Sequence, residues 1–168
     1  IYNIYGFVRF ADEIVDSFHD FDKKYLLKMF EEDLNHALDS KISLNPILNS
    51  FQYTVHENNI HRDLIDAFLK SMNMDLYKQK YNTEEEYQEY IYGSADVVGL
   101  MCLNVFLEGD KDQYQQLKPQ AMALGSAFQK VNFLRDLNAD FEVLDRTYFP
   151  NLDLSNFKEK SKATIIAE

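Results

Sequence analysis

Apolar residues recur at steps of three and four along most of the chain, the repeat of helices with one buried face. The pattern predicts a first helix over roughly residues 2–18. A second, FDKKYLLKMFEEDLNHALD, places Tyr25, Leu26, Met29, Phe30 and Leu34 on one side. Two more are predicted near 44–56 and 61–76, with the polar tract ENN between them. At Thr83-Glu84-Glu85-Glu86 the threonine can cap a helix and Glu86 can complete a capping box, starting a long helix that runs to about Leu107. After the loop EGDKD, a last helix includes or restarts at Pro119, a favourable first-turn position, and continues to about Phe141. No linker, low-complexity tract or repeat divides the chain, so residues 1–168 read as one all-α domain.

Composition narrows this further. Hydrophobic residues make up 46% of the 168, with only 5 Gly and 3 Pro, a balance that suits helices and a sizeable core. Lys and Arg total 17 against 28 Asp and Glu, and the resulting net charge of -11 argues against nucleic-acid or anionic-lipid binding unless cations intervene. A divalent metal is one such cation. The single cysteine, Cys102, lies in VVGLMCLNVFL and reads as a core thiol of a reducing cytoplasm. That run is too short, and too interrupted by Asn104, to span a bilayer, and no signal peptide is visible.

Tyr5, Arg9, Asp12 and Asp16 stand at steps of four, three and four, so they fall in one stripe of a helix and both carboxylates point the same way. Far downstream, Gly125, Gln129, Asn132 and Asp136 repeat those steps and Asp140 extends them, with Arg135 just off the stripe. Acids four apart repel each other on a bare helix. Two such pairs on apolar helices, flanked by Phe7, Phe10, Phe128 and Phe133, call for a cation between them, and Mg²⁺ is commonly held by one or two carboxylates together with substrate phosphates. The plainer alternative is that both stripes are solvated faces.

Three segments then carry a resemblance. RFADEIVD resembles the first aspartate-rich motif of the squalene and phytoene synthases, and QKVNFLRDLNAD followed by DRTYFP resembles their second motif with its trailing Arg-x-Tyr-x-Pro. YIYGSADVVGLM resembles the tyrosine-led helix that lines the family's tunnel. The resemblance implies the all-α terpenoid synthase fold and head-to-head joining of two allylic diphosphates through a cyclopropyl diphosphate. Carried over by position, Asp12, Asp16, Asn132, Asp136 and Asp140 would hold Mg²⁺, with Mn²⁺ as a substitute. Arg9, Gln129, Asn132 and Arg135 would serve the diphosphates, and Arg146 and Tyr148 of the trailer would bind substrate. Tyr5 and Tyr90 would stand near the reacting carbons, Ser94, Val98 and Met101 would continue the Tyr90 face, and Gly99 and Gly125 would allow close approach.

The wording DEIVD is closer to the DELVD of phytoene synthases, so the expected reaction is phytoene formation from two geranylgeranyl diphosphates. The alternatives are a C30 enzyme making dehydrosqualene or squalene from farnesyl diphosphate, and a non-catalytic relative that acts as an assembly or binding protein. NADPH is expected only for a squalene synthase, and no dinucleotide fingerprint is visible. The expected partner is a prenyl diphosphate, in the cytoplasm, with peripheral membrane contact for release of an apolar product. Bulky Phe7, Leu100 and Met101 are candidates for limiting tunnel length. Asp96 and Asp145 stand where the family usually has Gly, and Asp96 reads as outward-facing or paired to a neighbour. The family's further N-terminal and C-terminal helices have no counterpart in these residues, so the chain reads as a partial, core piece of the domain. The four histidines lack a paired metal spacing, and Gly109-Asp110-Lys111-Asp112 starts like a calcium loop without its later glycine and glutamate.

Overall fold

The computed structural model describes residues 1–78 and 80–144, with backbone alone for 136–144. Within them lie α1 (Tyr2–Asp16), α2 (Lys23–Ser40), α3 (Pro46–Glu57), α4 (Arg62–Asp75), α5 (Glu84–Ile91), a π-helical turn (Tyr92–Asp96), α6 (Val97–Phe106) and α7 (Lys111–Leu144). Polar side chains set the starts. Asp22 caps α2, Asn45 caps α3 ahead of Pro46, and Thr83 Oγ1 accepts from Glu86 N at α5. Glu86 in turn accepts from the backbone N–H of Asn82 at 2.9 Å and, more weakly, from that of Thr83, the reciprocal half of the capping box, with Lys78 Nζ 2.8 Å from its carboxylate. Asp110 opens α7 by accepting from the backbone N–H groups of Asp112 and Gln113, and Gly109 turns the chain just before it at φ +87°.

The core of α1 to α4 is built on one ring from each helix. Phe7 stacks on Phe51 with centroids 4.0 Å apart and planes 4° from parallel, and Phe30 and Phe68 lie at 5.7 and 5.3 Å. Each such pair contributes about 0.5–1.5 kcal/mol beyond its buried area. The Phe7–Phe30 contact also fixes how α2 is rotated. Its buried stripe is Leu27, Phe30, Leu34, Ala37 and Leu38, which leaves Tyr25 and Met29 exposed, contrary to the expected face.

The long helix expected from Thr83 to Leu107 forms without a break from Glu84 to Phe106, but it is not α-helical throughout. Its middle widens into the π-helical turn, and the chain there lies against α4 so closely that a Cβ on Gly93 would meet Ala67 O at 2.6 Å. Pro119 sits inside α7 and does not restart it. α6 and α7 run antiparallel across the Gly109 turn, in near backbone-to-backbone contact. A Cβ on Gly99 would stand 2.8 Å from Ala121 O, and one on Gly125 2.8 Å from Ala95 O.

Candidate active site

On α1 the apolar face, Ile4, Phe7, Ala11, Ile14 and Val15, is buried, which turns the Tyr5–Arg9–Asp12–Asp16 stripe outward. Tyr5 is 64% exposed. Arg9 grips its own helix, with Nη1 2.5 Å from Asp12 Oδ2 and Nη2 2.6 Å from Glu13 Oε2. Glu13 belongs to this cluster although no motif position points to it; its i,i+4 relation to Arg9 is the signal in the sequence. Burial pushes the Asp12 carboxyl above its ordinary value and repulsion from Asp16 adds to this, while Arg9 opposes both. Lys23 Nζ closes the end of the same helix by donating to Val15 O at 2.8 Å and, more weakly, to Asp16 O at 3.4 Å.

A cavity of ≈ 610 Å³ lies beside α6 and α7. One wall is the four-step row Ser94, Val98, Cys102 and Phe106, about 18 Å of helix at ~1.5 Å per residue. The facing row on α7 runs from Leu117 through Ala121 and Gly125 to Gln129 and Asn132. Val8, one turn before Asp12, joins the wall from α1. The cleft is therefore apolar along most of its length, while Ser94, Gln129 and Asn132 are among its few polar groups. Phe106, Leu124 and Phe128 remain 70, 61 and 62% exposed, an apolar rim of the kind that marks binding surfaces.

Ser94, Val98, Gly125, Gln129 and Asn132 are thus brought together as wall residues. Arg135 is exposed on α7 and does not line the cavity. Asp136 and Asp140 continue the α7 row one and two turns past Asn132, but their side chains lie outside the described residues, as do Arg146 and Tyr148 altogether.

Several expectations need correction. Tyr90 does not share the cleft with Ser94. It is buried with Tyr81, Tyr87, Ile91 and Phe133, and its hydroxyl donates to Asp75 Oδ2 at 2.9 Å. The π-helical turn between Tyr90 and Val98 is the reason, because a widened turn rotates the residues after it relative to those before it. Met101, Leu100 and Phe7 are fully buried in the main core and cannot bound the cleft. The end of the cleft remote from Asn132 is lined by Leu103, Phe106 and Leu117. Cys102 packs against the main core, as expected, and also lines the cleft, and burial raises its thiol above the ordinary value. For Asp96 the expected pairing to a neighbour holds and the outward-facing option does not: it is buried and accepts from Ser126 Oγ at 2.6 Å. Among the described residues, no group of three or more His, Cys, Asp or Glu side chains could hold a metal. No described helix is long and apolar enough to cross a membrane.

Comparison with known proteins bears on the family and the fold. The family model described as Squalene/phytoene synthase matches residues 1–165. A phytoene synthase of Arthrospira platensis is 32% identical over 173 residues, covering 94% of this chain and 53% of that protein. A hydroxysqualene synthase of Zymomonas mobilis is 25% identical over 149 residues, covering 88% and 48%. The solved squalene synthase HpnC from Alicyclobacillus acidocaldarius superposes with a TM-score of 0.72 at 27% identity, covering 86% of this chain and 52% of that one. The chain spans about half the length of these relatives.

Proposed function

The chain belongs to the squalene/phytoene synthase family, matched over residues 1–165, and on that premise we propose that the full-length protein condenses two prenyl diphosphates head to head. The preferred substrate in this reading is geranylgeranyl diphosphate and the product phytoene, in keeping with the DEIVD motif and the phytoene synthase relatives. One observation carries the reading. A long apolar cleft has Val8, a turn from Asp12, and Asn132, a turn from Asp136, on its wall, so both acid-bearing helices border one space.

The donor set fits a hard dication. Asp12 and Asp16 are carboxylates on one stripe, and mutual repulsion and burial already disfavour the charge on Asp12. Asp12, Asp16, Asn132, Asp136 and Asp140 would hold Mg²⁺. When bound, it would supply Lewis-acid stabilisation of the charge that develops on the leaving diphosphate. Arg9 uses one nitrogen for Asp12 and another for Glu13, and its remaining donors can bind phosphate oxygen. Loss of one diphosphate leaves an allylic cation, which the second prenyl double bond attacks to give a tertiary cation; loss of a proton from the newly bonded carbon of the first chain then closes the ring of a cyclopropyl diphosphate. A second ionisation and rearrangement then give the C1-to-C1' bond. The apolar lining disfavours water that would trap either cation, and the face of Phe128, beside Gln129, is available to stabilise positive charge.

The second reading is a C30 enzyme acting on farnesyl diphosphate. It is favoured by the names of the hydroxysqualene synthase relative and the squalene synthase neighbour. Occupancy of the cleft can be tested for both readings through Cys102. A non-ionising geranylgeranyl or farnesyl thiodiphosphate should slow alkylation of Cys102, read by peptide mass spectrometry, and the more protective analogue identifies the preferred chain. Equal alkylation with and without either analogue contradicts the placement of substrate here.

A further inference from the structure

Ser94 Oγ is buried, lies on the wall of the apolar cleft, and has no hydrogen-bond partner among the described residues. In an α-helix a serine can turn back to the carbonyl four residues earlier. Ser94 sits inside the π-helical turn, where the backbone is re-registered, and no such bond forms. A buried hydroxyl without a partner costs about 1–3 kcal/mol. Its position in a mostly apolar cleft points to a partner that arrives with the ligand.

Resting on the condensation proposed above, we propose that Ser94 is a catalytic residue that takes the proton lost when the last allylic cation becomes the neutral hydrocarbon. The step balances without any redox partner. A C–H bond beside the cationic carbon breaks and its electron pair becomes the new C=C bond, cancelling the charge. The proton passes to Ser94 Oγ while the hydroxyl's own proton passes to an oxygen of the diphosphate already released, which gains one proton. A hydroxyl is a weak base, but a C–H next to a carbocation is strongly acidic, so a weak fixed acceptor suffices. Ser94 is also well sited for the second transfer, because it lines the same cleft as Gln129 and Asn132 of the facing row, the lining residues nearest in sequence to Asp136. It is the only hydroxyl among the described lining residues. The Cys102 thiol lies two four-residue steps further along the wall, toward Phe106.

The test uses the full-length protein with Mg²⁺, measuring hydrocarbon, prenyl alcohol and released diphosphate together for wild type, Ser94→Ala and Ser94→Thr. Ser94→Ala should fold as stably as wild type, since the lost hydroxyl bonds to none of the described residues. Its hydrocarbon yield per diphosphate released should fall by at least about tenfold, with alcohols or other isomers from the stranded cation rising, and Ser94→Thr should restore it. An unchanged ratio in Ser94→Ala overturns the assignment, as does a wild-type enzyme whose main product is already an alcohol, and both leave the condensation standing. A wild type that releases no diphosphate from either prenyl diphosphate overturns the assignment together with the reading beneath it.

Discussion

Asp12 shows how a single side chain links the core to chemistry. The ring stack at Phe7 buries one face of α1 and so presents Asp12 and Asp16 on the other, close enough for repulsion to raise Asp12. Asp12→Asn or Asp136→Asn in the full-length protein should lower turnover about 10²–10³-fold with the helical circular dichroism unchanged. Near-normal rates at saturating Mg²⁺ would remove these carboxylates from the mechanism. Asp96 offers a stability prediction. Burial raises its carboxyl above the ordinary 3.8, against the pull of the Ser126 hydrogen bond. The folded state therefore binds this proton more tightly than the unfolded one, so the stabilising contribution is complete below about 3.8 and declines as pH rises through the folded value. Asp96→Asn should equal or exceed wild type in urea unfolding at pH 7 and lose that advantage in acid. A gap that is constant with pH contradicts this linkage.

At the scale of elements, the two stripes and most helix starts were legible because a fixed advance per residue converts spacing directly into a shared face, and because Thr83, Asn45 and Asp22 are good caps. The π-helical turn was not. It leaves no mark in composition, and it separates Tyr90 from Ser94 although their spacing alone places them together. Apolar residues on α1 and α6 were ambiguous for a related reason, since the same residue types serve the core at Phe7 and Met101 and the cleft at Val8 and Val98. Two substitutions test these assignments. Tyr90→Phe removes the donor to buried Asp75 and should destabilise the fold by about 1–3 kcal/mol, and its effect on activity should follow that stability loss. A fully stable variant with altered products would return Tyr90 to the reacting carbons. Gly125→Ala places a methyl 2.8 Å from Ala95 O and 3.0 Å from Asp96 Cα, neither of which can swing aside. It should cost about 1–3 kcal/mol and widen the α6–α7 contact. A melting temperature equal to wild type would show that these helices are not in backbone contact.

For the molecule as a whole, a net charge of -11 opposes the approach of any diphosphate, so on the proposed function cations must accompany the substrate. The family was legible because its motifs place acids at helical spacing, whereas the residues lining the cleft at the end remote from Asn132, Leu103, Phe106 and Leu117, carry no motif, and on the proposed function they are the ones that would bear on chain length. The most direct measurement is to supply the full-length protein and Mg²⁺ with geranylgeranyl or farnesyl diphosphate, with and without NADPH, and identify the product by mass. Phytoene should form from geranylgeranyl diphosphate without NADPH, and turnover should cease once Mg²⁺ is chelated. A C30 product formed only from farnesyl diphosphate would contradict the assigned chain length, and no condensation from either substrate would contradict head-to-head synthesis itself.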